Sequence, residues 1–341
     1  MGQTSQTNII RGETPEARQI RVVLSGMRPT GSLHLGHYFG ALQSWVYLQA
    51  HAQQCFFMVA DLHALTTMDD VAGIASSVED MVRDWLSVGI DPQRSVIFRQ
   101  SDVPAHAELA LLLGMHTPLS WLERNPTYKE MMAEYPDHLS MGLLTYPVLQ
   151  TADIALYGAD AVPVGEDQLP HLELGREIIR RVNQRFKTTL VEPKAFLQPN
   201  ARILGLDGQQ KMSKHLNNFI ALADAPETIQ KKLRRVQTDV GTDVGRADKN
   251  PTVKALFLLL ELFSAGDVAR FEQDYQGGKI RYGELKNHLA QAIAAKLAPI
   301  REQRAKHTSA AIRDILSSGA HRATAVASVT LKHVKHAMGL G

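Results

Sequence analysis

Short apolar runs alternate with longer segments whose apolar residues recur every three or four positions, and this alternation organises the first two-thirds of the chain. Runs at Arg21–Leu24, Cys55–Ala60 and Ser95–Arg99 have the length of buried strands, and a helical pattern follows each. In the first of these patterns Leu35, Phe39 and Leu42 keep the helical period, and Trp45, Val46 and Leu48 extend it. Strands joined by helices of this length must run parallel, so the pattern predicts an α/β fold built on a Rossmann-like parallel sheet. Beyond Leu222 the helical period takes over without clear strands, as in Leu285 to Leu297 and Ile312 to Leu316. That stretch predicts a C-terminal all-helical domain of about 110 residues, an ordinary domain size. The expected organisation is a polar, loosely docked N-terminal extension over 1–20, a Rossmann-like catalytic domain with an inserted helical segment over 21–222, and a helical domain over 223–341.

The turn between the first strand and first helix carries the first candidate chemistry. Gly26, Gly31 and Gly36 permit sharp turning or close approach to a ligand, and Pro29 stiffens the bend. His34 and His37 fall at the helix start, where unpaired N–H groups and the positive dipole end favour an anion. No Asp, Glu or Cys lies in the stretch to complete a zinc set, so no bound metal is expected. Taken alone, the turn fits a nucleotide site and an ordinary strand–helix junction about equally.

Further candidates sit where strands end or helices begin. Asp61 and His63 follow the second strand, at the sheet edge where ligands of such folds bind. From Trp121 to Tyr135 the apolar period fails, and Arg124, Pro126, Lys129 and Pro136 suggest a mobile excursion over that edge. A helix is expected after Pro147, with Tyr146, Gln150 and Asp153 on one face. Asp153 stands among apolar residues and must find a partner, either a structural group or an uncharged donor on a ligand. Gly165 marks a strand-to-helix bend, where Glu166 and Asp167 suit helix capping or ribose hydroxyls. Lys211 and Lys214 flank Ser213 after a glycine-rich loop, and Lys231 to Arg235 form a basic cluster that reads as a solvated helix face or an RNA patch.

Composition narrows the classes. The chain has 341 residues, 44% hydrophobic and 21% charged, with a net charge of only +2. There is no overall basic field, so any contact with RNA must come from a local patch. The single cysteine, Cys55, excludes an internal disulfide framework and a cysteine-based metal site. The run from Val253 to Phe263 is too short to span a bilayer and is interrupted by Lys254 and Glu261. The first twenty residues lack a hydrophobic signal core, which predicts a cytoplasmic location.

Two motifs together go further. His34-Leu-Gly-His37 and Lys211-Met-Ser-Lys214, in this order across a Rossmann-like region, resemble the two signatures of the class I aminoacyl-tRNA synthetases. The stretches Gly26–Gly31, Val59–Leu65, Gly89–Pro92, Leu143–Pro147, Val162–Gln168 and Ala337–Leu340 are similar to the bacterial tryptophanyl family, so the resemblance covers nearly the whole chain after the first twenty residues.

The resemblance implies activation of L-tryptophan by ATP, with Mg2+ accompanying the ATP phosphates, and transfer to tRNA(Trp) by a homodimer that binds no membrane. It implies that Arg28, Pro29 and Thr30 form the turn beside ATP, that Gly36 lets the nucleotide approach the backbone, and that His34 and His37 bond the phosphates. Gly165, Glu166 and Asp167 would face the ribose with support from Gln168, and Ile203 would touch adenine. Lys211, Met212, Ser213, Lys214 and His215 would form the loop that closes on pyrophosphate. His34, His37, Lys211 and Lys214 are thereby the catalytic candidates. Asp153 would accept the indole N–H, Tyr146 and Gln150 would hold the amino group, and His63 would complete the tryptophan pocket. The helical domain would read the anticodon.

There are departures from the family pattern. Gln150 stands where many members carry Met, His215 replaces the serine that closes the lysine signature, and Met131 occupies a position where a second lid lysine often appears. Leu24 stands where tyrosyl enzymes typically carry tyrosine, which favours indole. Other readings are a tyrosyl-specific relative, a nucleotidyltransferase sharing the histidine turn, and an auxiliary synthetase copy with a regulatory or RNA-binding role.

Overall fold

A computed structural model describes residues 8–12, 14, 19–68, 71–126, 128–129, 132, 139–197, 203–238 and 249–341. Six parallel strands form one sheet in the order β1-β6-β5-β2-β3-β4, with β1 Ile9–Arg11, β2 Val22–Met27, β3 Gln54–Val59, β4 Ser95–Arg99, β5 Ala161–Pro163 and β6 Lys194–Leu197. The three strands expected from the apolar runs are present within a few residues of their expected ends. The chain moves from β2 to β3 and β4 in one direction, then crosses back to β5 and β6 on the other side of β2. Between β2 and β5 the order reverses, and in open parallel sheets a crevice opens at such a point beyond the strand ends.

Side chains alternate across the sheet and feed two apolar layers. Cys55, Phe57 and Val59 of β3 join one core, and Phe56 and Met58 join the other. The first layer is covered by α2 Gln43–His51 and α4 Ile74–Ser87, and it continues into α9 Pro226–Arg234, α10 Pro251–Phe263, α11 Val268–Gln276 and α12 Tyr282–Lys306. The second layer is covered by α5 Ala105–Gly114, α7 Met141–Leu156 and α8 Leu169–Phe186. Short helices α1 Leu35–His37, α3 Asp61–Ala64 and α6 Leu119–Glu123 complete this part. Beyond Leu222 every regular element among the described residues is helical, as expected.

The last helix, α13 Ser309–Ala337, returns from the helical segment and packs against β4 and the second layer through Ala323, Ala327, Leu331 and Val334. At Gly319 the helix approaches so closely that a Cβ would lie 1.7 Å from the Ile97 carbonyl oxygen, so only glycine fits. The helical segment and the sheet therefore share one continuous interior.

Two expectations are corrected. Ile9–Arg11, within the stretch expected to be a loosely docked extension, pair with β6 as an edge strand, and Ile10 is buried. An open parallel edge offers unpaired N–H and C=O groups, and the backbone of Ile9–Arg11 pairs with them along Ala195 to Leu197. The helix expected after Pro147 starts instead at Met141, where the Ser140 hydroxyl caps the Leu143 N–H at 3.2 Å. Pro147 lies inside that helix at the cost of one backbone hydrogen bond, which burial of Leu143, Pro147 and Val148 outweighs.

Among the described residues, no helix is long and apolar enough to cross a membrane. In the segment expected to pass over the sheet edge, Arg124, Pro126 and Lys129 are exposed, while Met131, Tyr135 and Pro136 lie outside the described residues.

Candidate active site

The crevice beyond β2 and β5 holds a cavity of about 520 Å³. Its lining comes from the ends of both strands, from α7 and from His63, and includes Gly26, Arg28, Tyr146, Gln150, Asp153 and Gly165. The helical face predicted for Tyr146, Gln150 and Asp153 is thus the face turned into the cavity.

Asp153 is 1% exposed and is held by three side-chain donors. Its Oδ1 accepts from the Gln100 amide at 2.8 Å and from His106 Nδ1 at 2.6 Å, and its Oδ2 accepts from His63 Nε2 at 2.9 Å. His106 Nε2 in turn meets the Tyr157 hydroxyl at 2.8 Å. Burial alone would raise the Asp153 pKa, but hydrogen bonds from His106 and His63 overcome it and hold the carboxyl at about 2. An ionised carboxylate has about four lone-pair sites, so three donors leave room for one more from the cavity side. Tyr146 shares its hydroxyl with His171 Nε2, and His171 Nδ1 is held by Gln168 at 3.0 Å. Burial pushes the His171 pKa down to about 4.

Gln100, His106 and His171 escaped the sequence reading. Gln100 directly follows β4, the same position relative to its strand that singled out Asp61 and His63, so the sheet-edge rule could have found it. His106 and His171 lie within helices, where a buried histidine leaves no local mark. Asp61 itself is structural: its carboxylate accepts from the Ser101 N–H at 3.0 Å and from the Leu62 N–H at 3.0 Å.

Beside this cavity the histidine turn forms a reciprocal cap. His34 Nδ1 accepts from the Gly36 N–H at 3.1 Å, and His37 Nδ1 accepts from the His34 N–H at 3.2 Å, with ring centroids 3.9 Å apart. Because both Nδ1 atoms are acceptors, each proton is assigned to Nε2, leaving two N–H donors for a ligand. Burial lowers the pKa of His34 to about 4 and of His37 to about 3, helped by neighbouring positive charge, so both rings are neutral at pH 7. The turn is fixed by Leu35 N–H to the Ile220 carbonyl and Leu222 N–H to the Leu33 carbonyl, both 3.0 Å.

The lysine loop lies over this turn. Lys214 Nζ donates to the Thr30 carbonyl at 2.8 Å and passes Gly31, whose φ of +104° favours glycine. Burial lowers the Lys214 pKa to about 8, with the charge of Asp84 opposing the shift. Met212 packs near Gly36, and its N–H reaches the Ile203 carbonyl at 3.4 Å. Ser213 N–H donates to Asn218 Oδ1 at 2.7 Å. Lys211 points the other way and lies 3.7 Å from Asp167, both exposed.

The structure therefore brings His34, Gly36, His37, Thr30, Met212 and Lys214 together. It joins Lys211 to Asp167 beside Gly165, and gathers Asp153, Tyr146, Gln150 and His63 around the cavity. Pro29 is buried in the turn, while Glu166 and His215 are exposed. Arg28 donates to Thr67 Oγ1 at 3.1 Å at the cavity rim. His34, His37, Lys211 and Lys214 do not line the cavity itself. A crevice with a buried carboxylate in a wall of mixed apolar and polar side chains, and with the histidine turn and lysine loop beside it, suits a largely apolar substrate with one polar edge next to a polyphosphate.

A family model for class I tRNA synthetases of the W and Y type matches residues 16–298. The chain is 41% identical over 327 residues to the tryptophan–tRNA ligase of Porphyromonas gingivalis, covering 94% of this chain and 99% of that relative. It is 42% identical over 332 residues to the tryptophan–tRNA ligase of Thermotoga maritima, covering 93% and 99%. Among solved structures, the tryptophanyl-tRNA synthetase of Campylobacter jejuni complexed with ADP and tryptophan matches with a TM-score of 0.83 at 32% identity, covering 94% of this chain and 100% of that one.

Proposed function

The chain belongs to the class I tRNA synthetases of the tryptophan and tyrosine group, and we infer that it is a tryptophan–tRNA ligase whose amino acid sits in the Asp153 cavity and whose ATP lies along the histidine turn. It activates L-tryptophan with ATP to tryptophanyl-adenylate and pyrophosphate, then transfers the tryptophanyl group to tRNA(Trp). One observation carries the placement of the substrate. The Asp153 carboxylate, ionised and already holding donors from Gln100, His106 and His63, keeps one acceptor site toward a cavity that Leu24, Met58, Ile154 and Val162 line on its apolar side. Indole presents one N–H donor on an apolar ring, which this arrangement satisfies. A side chain lacking a donor would leave that acceptor buried and unpaired, a steep basis for selection.

The phosphoryl chemistry needs positioning and charge more than covalent help. The tryptophan carboxylate attacks the α-phosphate in line, and negative charge grows on the departing pyrophosphate. His34 and His37 supply neutral Nε2–H donors that need no proton exchange at physiological pH. Lys214 supplies a cation beside them and Lys211, next to Asp167, a second from the same loop, and Lys suits this role as a compact charge on a long flexible stem. Arg28, Pro29, Thr30 and Gly36 shape the wall against the nucleotide, with Met212, Ser213 and His215 carried on the closing loop. Gly165, Glu166 and Asp167 face the ribose, and Ile203 borders the adenine. Tyr146 and Gln150 orient the tryptophan amino group, and His63 closes the pocket while bonding Asp153. Mg2+ enters with the ATP phosphates as part of the substrate.

A homodimer is supported by the apolar side chains left open on neighbouring helices. Leu111 of α5, Met115 at its end, Leu119 of α6 and Met141 of α7 are 57–79% exposed, and a second copy of the same surface would cover them. The helical part from 223 onward is assigned to the anticodon, and the role in protein synthesis places the enzyme in the cytoplasm. The deciding experiment is tryptophan-dependent ATP–pyrophosphate exchange followed by charging of tRNA(Trp). Exchange driven by tyrosine and not by tryptophan overturns the substrate.

A further inference from the structure

The histidine turn is held from behind by a carboxylate that the phosphoryl chemistry does not use. Asp84 of α4 is 1% exposed. It accepts from the backbone N–H of Leu33, the residue before His34, and from Arg304 Nε at 2.7 Å. Arg304 lies near the end of α12, 220 residues away in sequence. Its Nη2 also reaches Asp80 at 3.0 Å, and Arg83 braces the same group by donating to Asp80 at 2.6 Å and to the His307 carbonyl at 3.1 Å.

One helical turn before Arg304, Arg301 reaches round to the other side. Its Nη1 donates to the Asp224 carbonyl at 3.4 Å, and the Asp224 carboxylate accepts from the Ala221 N–H at 2.8 Å. Ala221 is bridged to His34. The turn is thus gripped on both sides, and both grips end on α12.

Stability alone is a poor reason for this arrangement. Burial drives the Asp84 pKa upward against its arginine, and a well-packed apolar residue often serves a core as well as a buried ion pair. An apolar residue could not accept the Leu33 N–H or answer to Arg304. We propose that Asp84 is a positioning residue for ATP, coupling α12 to the histidine turn through Arg304 so that the placement of the C-terminal helices sets the affinity for ATP. The proposal rests on the assignment of ATP to that turn. Coupling of this kind is reciprocal, so ATP binding also biases the position of α12.

The test uses tryptophan-dependent ATP–pyrophosphate exchange on the full-length enzyme, with KM for ATP and for tryptophan measured separately in Asp84→Asn, Arg304→Gln, the double variant, Arg304→Lys and Lys214→Ala. Asn keeps an acceptor for Leu33 but loses the charge facing Arg304. Asp84→Asn and Arg304→Gln are each expected to raise KM for ATP about tenfold with KM for tryptophan changed less than about twofold. The double variant should be no worse than either single one, and Arg304→Lys should recover part of the loss. Asp84→Asn should also move the alkaline limb of kcat/KM for ATP to lower pH, because Asp84 supports the charge of Lys214, whose other titratable neighbours are His34 and His37.

A lower melting temperature with an unchanged KM for ATP overturns the proposal, as do equal rises in both KM values or additive effects in the double variant. Should Asp84→Asn fail to fold, the Arg304 pair decides by the same KM split. Lys214→Ala separates the two levels of argument. If it leaves ATP use intact, the placement of ATP fails; if it impairs ATP use while the Asp84 and Arg304 variants do not, the coupling alone fails.

Discussion

Lys214 Nζ and the Thr30 carbonyl meet at 2.8 Å across 184 residues of sequence, closing the lysine loop onto the turn that carries His34 and His37. The bond holds the ammonium over the turn that carries the two histidines, where the phosphates of ATP are proposed to bind. Replacing Lys214 by Ala removes the cation and leaves the turn intact. Tryptophan-dependent exchange is expected to fall by about 10²- to 10³-fold, as for loss of one preorganised charge-stabilising donor. Equilibrium binding of tryptophan in the absence of ATP should be unchanged, and a parallel loss there would place Lys214 in the amino-acid pocket instead.

The pH dependence follows from the same residue. Burial brings the Lys214 pKa to about 8, and the proposed contact with phosphate requires the protonated form. In the free enzyme kcat/KM for ATP should therefore decline as pH rises through about 8, while the limb in kcat lies higher because bound phosphates favour the ammonium. His34 and His37, neutral down to about pH 4, should add no limb near 6.5. Lys214→Arg should abolish the alkaline limb of kcat/KM. A limb near 6.5 that disappears on changing either histidine would show that a charged imidazole takes part.

Asp153, proposed to accept the indole N–H, is also part of a buried hydrogen-bond network. Asp153→Asn offers an amide N–H to Gln100, His106 or His63, all donors already, and loses the open anionic acceptor. KM for tryptophan should rise by about two orders of magnitude with KM for ATP little changed. In the wild type the carboxyl titrates at about 2, below its unfolded value near 3.8. Its contribution to stability is complete above about pH 4 and is lost as pH falls through about 2. The Asn variant should lack that component of acid unfolding, measured by denaturant melts at stepped pH. An identical acid profile would remove the ionised carboxylate from the account.

The exposed apolar helices give a test of assembly. Met115→Glu places a charge on the exposed apolar end of α5, one helical turn from Leu111, and should shift the mass in light scattering from dimer to monomer at micromolar concentration, with the circular dichroism spectrum unchanged. A dimer that survives this change uses another surface.

The nature of each residue's signal explains what was legible. Strands β2, β3 and β4 were readable because a doubly covered strand is a short unbroken apolar run. The face joining Tyr146, Gln150 and Asp153 was readable because helical geometry repeats within seven residues. β1 was not, since three residues among polar neighbours carry no period and only the open edge of β6 gives them a place. β6 is little longer and lies in a segment without alternation. The start of α7 at Met141 leaves no local sign, because Pro147 signals a break and the packing that tolerates it is distant.

The parallel α/β architecture, the helical C-terminal part, the two signature motifs and the face that presents Asp153 are all legible in the residues alone. Each of these is written in a local period, a turn chemistry or a short motif, so neighbouring residues suffice to declare it. Only the tertiary structure decided that Gln100, His106 and His63 converge on Asp153, that Lys214 closes on Thr30, that α13 returns to the sheet, and that Arg304 reaches Asp84 behind the histidine turn. Those pairings depend on strand order, register and helix packing across the whole chain, and a hydrogen bond between residues 47 or 220 positions apart leaves no trace in the residues beside either partner.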